Sequence, residues 1–126
     1  MKPVFYRCNV CGNVIVKLID SSVPVECCGD YMEELVPRTA NEGVEKHLPV
    51  VVIVDGKTVE VTVGSTEHPM TPEHYIQFIY VETEHGGQIA YLQPGEKPSA
   101  TFQVNDKVVA VYEYCNLHGL WKVEVK

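Results

Sequence analysis

Four of the five cysteines lie within the first 28 residues of the chain, in the pattern C-x2-C-x15-C-C. They are Cys8, Cys11, Cys27 and Cys28. A segment this short cannot form a stable hydrophobic core without a metal or a partner. Adjacent Cys27 and Cys28 could form only a strained vicinal disulfide, whereas they can ligate a metal without that strain. The pattern therefore predicts a small tetrathiolate metal module at the N-terminus.

A second candidate metal site uses the remaining cysteine and most of the histidines. Its predicted ligands are His47, His68, His74, Cys115 and His118. This set is too rich in nitrogen for a structural zinc site, which closes at four ligands, and it suits a redox iron that keeps one position free. The fifth histidine, His85, lies in a charged turn and is predicted to be exposed. The sequence thus predicts two metal centres.

Composition and charge limit the class of protein. The chain has 126 residues, 45% of them hydrophobic and 21% charged, which is typical of a globular protein. No apolar run approaches the roughly 20 residues that span a bilayer, and the N-terminus has no signal-peptide pattern. The formal charge of −7 argues against nucleic-acid binding, which requires clustered basic residues. We expect a cytoplasmic protein without disulfides, bound to neither nucleic acid nor membrane.

Strand signals recur after residue 43 at the spacing typical of a β-sandwich. Seven segments are predicted as strands: 48–54, 58–63, 75–81, 89–92, 100–104, 108–114 and 120–125. Asp55-Gly56, between the first two, is a strong hairpin signal. No segment shows a convincing helical period, and residues 36–43 are interpreted as a linker. We therefore predict an all-β protein with a metal module at residues 1–36 and a seven-stranded sandwich at residues 37–126.

Several motifs resemble those of the desulfoferrodoxin family, the two-iron superoxide reductases. They are Glu45-Lys46-His47-Leu48-Pro49, residues 64–70 (GSTEHPM), Glu73-His74-Tyr75-Ile76 and residues 113–121 (EYCNLHGLW). The N-terminal cysteines resemble the rubredoxin/desulforedoxin-like module of the same family, so the resemblance covers nearly the whole chain. It implies iron in the four-cysteine module. It also implies an immunoglobulin-like domain whose catalytic iron has four imidazoles in one plane and the cysteine on the axis.

The resemblance implies a reaction and roles for two further residues. The reaction is the one-electron reduction of superoxide to hydrogen peroxide, after which an electron-donor protein reduces the iron again. Lys46 is expected to attract superoxide and to order the water that delivers protons. Glu45 is expected to cap the ferric iron when no substrate is present. The family also implies a homodimer and a rubredoxin-like donor.

Two other interpretations of the metal ligands remain open. A non-catalytic electron carrier of the blue-copper type also places Cys and His on a sandwich loop, but it needs two histidines and commonly a methionine after the last one, which this chain lacks at His118. A structural metalloprotein with two zinc ions would be colourless. The sequence does not decide whether the N-terminal metal is iron or zinc, or whether it relays electrons.

Overall fold

A computed structural model describes residues 2–40 and 43–126. The chain divides into two compact units, Met1–Val36 and Pro37–Lys126. The predicted linker, residues 36–43, spans this division, and its residues Asn41 and Glu42 lie outside the described residues.

The N-terminal unit consists of short strands connected by turns. Its strands are β1 (Phe5–Arg7), β2 (Val14–Val16), β3 (Glu26–Cys27), β4 (Asp30–Tyr31) and β5 (Glu33–Leu35). Strands β2, β1 and β5 form an antiparallel sheet in that order, and β3 pairs with β4. Phe5, Cys8 and Met32 are the buried apolar residues of this unit among those described. So few buried side chains cannot stabilise a fold alone, which agrees with a unit that depends on a metal.

The C-terminal unit is a sandwich of two antiparallel sheets. Its elements are the single-turn helix α1 (Val44–His47) and the strands β6 (Pro49–Val54), β7 (Thr58–Val63), β8 (Ile76–Thr83), β9 (Gly86–Tyr91), β10 (Ser99–Gln103), β11 (Val108–Cys115) and β12 (Gly119–Glu124). One sheet has the order β10-β7-β6 and the other β12-β11-β8-β9. The prediction of an all-β, immunoglobulin-like sandwich of seven strands, preceded by a small metal-binding module, is confirmed.

Residue alternation along the strands produces the core between the sheets. In β7, Val59, Val61 and Val63 are buried and alternate with exposed Glu60 and Thr62, as expected for a strand with one wet face. Opposite them, β8 and β11 contribute inward-facing side chains: Ile76, Ile79, Val81, Val111 and Cys115. A register shift between β8 and β11 lies where Tyr114 pairs with Phe78 and Cys115 pairs with Ile76. This irregularity lies beside the candidate ligand Cys115.

Turn chemistry positions the strand ends. Asp55 and Gly56 have φ of 55° and 67°, so the predicted hairpin between β6 and β7 is confirmed. At the other end of these strands Pro49 pairs with Val63. The start of β6 and the end of β7 therefore lie side by side, and so do the start of β8, the end of β11 and the start of β12. All candidate ligands of the sandwich are attached to these strand ends.

Three details differ from the sequence prediction. Strand β9 begins at Gly86 rather than at residue 89, because Gly86 and Gly87 pair with Thr83 and Glu82 instead of forming a longer turn. Helix α1 was not predicted, since a four-residue helix is too short to show a period. The prediction that residues 36–43 are an irregular linker is wrong at Arg38, which forms a parallel bridge with Trp121 of β12.

No helix in the described ranges is long and apolar enough to cross a membrane.

Candidate metal centres

The N-terminal unit brings its four cysteines together. The sulfur atoms of Cys8, Cys11, Cys27 and Cys28 all lie within 4.8 Å of one another. The sulfur of Cys27 is 3.7 Å from that of Cys11 and 4.0 Å from that of Cys28. All five cysteines of the chain are free thiols. Four thiols at this separation can act together as ligands of one tetrahedral ion.

Local backbone conformation brings the sulfurs to this position. Gly12 and Gly29 follow the two cysteine pairs with φ of 84° and 80°, and Cys28 itself has φ of 55°. The first turn directs backbone N–H groups at sulfur, with the Cys11 nitrogen 3.5 Å from Sγ of Cys8. Hydrogen bonds from the backbone N–H groups of Cys11 and Val10 lower the pKa of Cys8 to about 6. Such donors favour the thiolate, the form that binds metal.

The sandwich unit arranges four imidazoles in a closed ring. Ring centroids are separated by 4.7 Å between His47 and His68 and between His68 and His74, and by 4.9 Å between His74 and His118 and between His118 and His47. Neighbouring rings meet at interplanar angles of 62° to 81°. This near-square of edge-on rings surrounds a common centre.

The four histidines come from three different connections, all at the same end of the sandwich. His47 is the last residue of α1, His68 and His74 lie in the β7–β8 connection, and His118 lies in the turn between β11 and β12. Cys115 ends β11, and its sulfur is 3.8 Å from Nδ1 of His118. The ligand atoms of His47, His68, Cys115 and His118 lie within 4.8 Å of one another. The structure therefore gathers all five predicted ligands.

Hydrogen bonds orient two of the imidazoles, and two of the four have a buried nitrogen without a partner. Nδ1 of His68 is 2.7 Å from the carbonyl oxygen of Pro69, and Nδ1 of His47 is 3.4 Å from Oε2 of Glu113. Nε2 of His68 and Nε2 of His74 are buried without any partner. A buried nitrogen without a partner is costly, and metal-bound histidines commonly give their other N–H to a carbonyl or carboxylate. The residues present therefore fit a bound metal ion.

Burial favours the neutral form of His47, His68 and His74, as ligation requires. Loss of solvent, together with the neighbouring histidines, lowers the pKa of His47 to about 4. Loss of solvent likewise lowers the pKa of His68 to about 4, although the Pro69 carbonyl opposes the shift. Burial also lowers the pKa of His74. Neutral imidazole is the form that binds metal near neutral pH.

Cys115 lies beside the ring, with its sulfur 3.8 Å from Nδ1 of His118. Its side chain is fully buried, and burial raises the pKa of its thiol, whereas backbone N–H groups of Leu117 and His118 lower it. The negative charge of a thiolate at this buried position would need a nearby cation to compensate it. The four imidazoles with one buried thiol match a soft, nitrogen-rich site that suits iron.

The ring opens into a cavity of about 440 Å³. Its described lining includes all four imidazoles, whereas Cys115 does not contribute to it. The described residues of the lining are Arg38, Gly43, Glu45, Lys46, His47, His68, Pro69, His74, His118 and Trp121. A small molecule in this cavity can thus approach the four imidazoles without contacting Cys115.

Glu45 and Lys46 reach this cavity because the segment that carries them is anchored. The carbonyl oxygen of Glu45 accepts hydrogen bonds from the backbone N–H of Thr66, at 2.9 Å, and from the hydroxyl of Ser65, at 3.1 Å. Gly64 is packed so closely that a Cβ there would lie 2.5 Å from the same oxygen. Both the Glu45 and the Lys46 side chains are exposed. The structure thus places both predicted residues at the open face.

Three further residues of the site were not predicted from the sequence. Glu113 is fully buried beside His47, and burial raises its pKa well above the usual range of a carboxyl group. The Trp121 ring stacks on His47 with centroids 4.7 Å apart and an interplanar angle of 7°. Arg38 lines the cavity from the segment interpreted as linker. Glu113 lies two residues before Cys115 in β11, so both side chains are expected on the same face of the strand. This spacing is the sequence signal that could have identified Glu113.

His85 lies outside both clusters. Its side chain is 85% exposed, with Nδ1 3.3 Å from the Asp106 carboxylate. The prediction that His85 is exposed is confirmed.

Together, a four-thiol cluster and a sandwich that gathers four imidazoles over a buried thiol define a two-centre, non-haem metalloprotein. Residues 39–124 match the family model described as desulfoferrodoxin. The chain belongs to the desulfoferrodoxin family, as the resemblance of its motifs predicted. The two clusters fit the two iron centres expected for that family.

Individual relatives agree with this assignment. A desulfoferrodoxin homolog of Methanothermobacter thermautotrophicus is 43% identical over 92% of this chain and 94% of its own length. A desulfoferrodoxin homolog of Archaeoglobus fulgidus is 40% identical over 93% of both chains. The crystal structure of the superoxide reductase from Treponema pallidum superimposes with a TM-score of 0.84 at 32% identity, covering 98% of each chain.

Proposed function

We propose that the chain is a superoxide reductase. The observation that carries the proposal is the ring of four imidazoles beside a buried thiol, with an open cavity that the imidazoles line. We assign His47, His68, His74, Cys115 and His118 as ligands of the catalytic iron, and Cys8, Cys11, Cys27 and Cys28 as ligands of the N-terminal metal. When bound, the catalytic iron supplies the single electron that converts superoxide and two protons into hydrogen peroxide.

The residues of the chain would perform the remaining tasks. Lys46, exposed at the cavity, attracts the superoxide anion and orders water for proton delivery. Glu45, on the same turn of helix, also lines the cavity, and its carboxylate would be available to the ferric iron when no substrate is present. His47 and His68, whose pKa values are lowered to about 4, remain neutral ligands throughout. Cys115, which is fully buried and does not line the cavity, would supply the single sulfur ligand of the iron.

Reduction differs from dismutation in its products, which gives a direct test. The chemically reduced protein should yield one hydrogen peroxide for each superoxide consumed and no dioxygen, whereas a dismutase yields half as much peroxide together with dioxygen. Cys115→Ser removes the soft donor and should abolish both the reaction and the thiolate-to-iron absorption of that centre, leaving the N-terminal chromophore. Release of dioxygen by the wild-type protein, or an unchanged spectrum in Cys115→Ser, would contradict the proposal.

The two units would have separate roles. We assign residues 1–36 to the desulforedoxin-like tetrathiolate module and residues 37–126 to the superoxide reductase domain. The N-terminal metal is proposed to be iron, and metal analysis with a visible spectrum distinguishes it from colourless zinc. Two of its ligands, Cys11 and Cys28, are exposed, which supports access by a rubredoxin-like electron donor.

Exposed apolar residues and free cysteines support proposals for the oligomeric state and the cellular location. Large apolar side chains of the N-terminal unit are exposed, including Leu18 at 84% and Ile19 at 83%, and they support a homodimer that covers them. Five free cysteines suit the reducing cytoplasm. Light scattering of the iron-loaded protein tests the homodimer, and a monomer would contradict it.

A further inference from the structure

Arg38 has a fixed place in the sandwich unit although it precedes the first strand. Its backbone N–H donates to the carbonyl of Leu120 at 2.9 Å, and its carbonyl accepts from the N–H of Lys122 at 3.0 Å. These two bonds hold Arg38 beside β12 and form the bridge with Trp121. Its guanidinium carbon lies 4.4 Å from the centroid of the Trp121 ring.

The ring under Arg38 is itself held on the imidazole site. Trp121 is fully buried, stacks on His47, and donates from Nε1 to the carbonyl of His118 at 3.1 Å. Arg38 and His47 therefore both pack against the Trp121 ring. A guanidinium stacked on an aromatic face keeps its in-plane N–H donors free for an anion. The stack fixes the position of the positive charge without using its hydrogen-bonding edge.

The charges at the cavity are unlike those of the protein as a whole. Among the described lining residues, Arg38 and Lys46 are positive and Glu45 is negative. No ion pair within residues 2–40 and 43–126 involves Arg38 or Lys46. The chain carries a formal charge of −7, so its overall field repels anions. A local excess of positive charge at the cavity opposes that repulsion where an anion must enter.

We propose that Arg38 is a second substrate-guiding cation, which presents a fixed guanidinium edge to small anions entering the cavity beside Lys46. This inference rests on the proposed function and extends it from one guiding residue to two. Both side chains are exposed, but the guanidinium of Arg38 also contacts the ring of Trp121, which restricts its position. The ligands concerned are small monoanions of the size of superoxide.

Three variants separate local charge from overall charge and from structure. Arg38→Gln removes the cation, Arg38→Lys keeps the charge, and Lys57→Gln makes the same change in net charge at the exposed β6–β7 turn, outside the cavity lining. Iron content and visible spectrum of each holoprotein verify that both centres are intact. The second-order rate of the ferrous holoprotein with superoxide is then measured by pulse radiolysis at several ionic strengths.

We expect Arg38→Gln to slow this reaction about two- to threefold at low salt, since one unit charge several ångströms from the anion has an effect of this size in water. The difference should vanish as salt screens the field, whose range is about 10 Å at 0.1 M. Arg38→Lys should retain most of the salt dependence, and Lys57→Gln should behave as wild type. Equal rates and salt slopes for Arg38→Gln and Lys57→Gln would overturn the proposal. Failure of Arg38→Lys to recover the slope would also overturn it, because the effect would then be structural rather than electrostatic.

Azide provides a test that does not depend on superoxide chemistry. Its binding to the ferric holoprotein can be followed by visible absorption and by the fluorescence of Trp121, the single tryptophan of the chain. Azide affinity should fall about two- to threefold in Arg38→Gln at low salt and should be unchanged in Lys57→Gln. Azide binding that is indifferent to Arg38 would count against the proposal. A wild-type protein that binds azide through Arg38 but leaves superoxide unreacted would refute the proposed function and leave the anion site standing.

Discussion

Oε2 of Glu113 lies 3.4 Å from Nδ1 of His47, and both side chains are buried. The contact joins the inward face of β11 to the end of helix α1, far apart in the sequence. The second carboxyl oxygen of Glu113 has no partner. Among the described candidate ligands, Glu113 therefore has a hydrogen-bond contact with His47 alone. Because this contact occupies Nδ1, it leaves Nε2 of His47 available to a metal at the centre of the imidazole ring.

Glu113→Ala should weaken iron binding at the sandwich site. An imidazole that loses its outer hydrogen-bond partner typically loses about 10- to 100-fold in metal affinity. Chelator competition, followed by the absorption of that centre, measures the loss. Glu82→Gln is the matched control, because Glu82 is also buried in this sheet but accepts a hydrogen bond from Tyr112 instead, at 2.8 Å. Equal losses in the two variants would show that Glu113 acts only through the fold.

The sequence predicted the strands and the candidate ligands well for physical reasons. Strand β7 alternates buried valine with polar residues, and Asp55-Gly56 can adopt the positive φ angles of a tight hairpin. Cysteine and histidine are scarce, so their grouping carries information even without knowledge of the fold. Their common position at one end of the sandwich follows from antiparallel strand order.

Other features depend on packing that no local pattern encodes. Gly86-Gly87 resembles a turn, yet Gly87 belongs to β9, where the Tyr80 side chain occupies the place of a Cβ. Arg38 joins the sandwich through a single bridge, which has no sequence period. The hydrogen bonds that select the imidazole nitrogens, such as that of His68 with Pro69, form only once the loops are folded.

Gly64→Ala should displace the segment that carries Glu45 and Lys46. A Cβ at Gly64 would lie 2.5 Å from the Glu45 oxygen and 2.6 Å from the Lys46 carbonyl carbon, and both are backbone atoms that cannot rotate away. We expect a loss of about 1–3 kcal/mol in stability, as for other overpacked sites, together with reduced iron occupancy at His47. Thermal unfolding and metal analysis measure both effects.

Gly86→Ala is the control for this substitution. The nearest atom to a Cβ at Gly86 is Oγ1 of Thr83 at 3.9 Å, an ordinary contact. This variant should retain wild-type stability and iron content. If Gly64→Ala and Gly86→Ala had the same stability and iron content, the prediction would be wrong, and the segment carrying Glu45 and Lys46 would accommodate the added Cβ without loss.

Cys11→Ser should separate the two centres. The N-terminal unit has few buried apolar residues, so loss of one thiolate should release its metal and unfold it. The sandwich has its own core and ligands, and superoxide reduction by the chemically reduced protein should largely survive. Visible spectra and peroxide yields test this. Loss of activity in a variant whose sandwich iron is intact would favour an obligatory electron relay through the N-terminal metal.

Acid should destabilise the metal-free sandwich within a defined pH window. His47 and His68 have pKa values lowered to about 4 in the fold, against 6.5 for an unperturbed histidine. Between these values the unfolded chain binds protons that the folded chain does not, so stability is complete above about pH 6.5 and falls as the pH decreases toward 4. Protonation of each histidine therefore removes at most about 3.4 kcal/mol from the free energy of unfolding, at 1.36 kcal/mol per pKa unit.

Denaturant unfolding of the metal-free protein at a series of pH values measures this loss. The His68→Gln variant should lose roughly half of the pH dependence, because one of the two buried imidazoles is gone. His85→Asn, which removes a histidine that is 85% exposed, should keep all of it. Bound iron requires the same neutral imidazoles, so the holoprotein should release its sandwich iron as the pH falls through this window. Stability that stays constant from pH 6.5 to pH 4 would show that His47 and His68 protonate equally in the folded and unfolded chains.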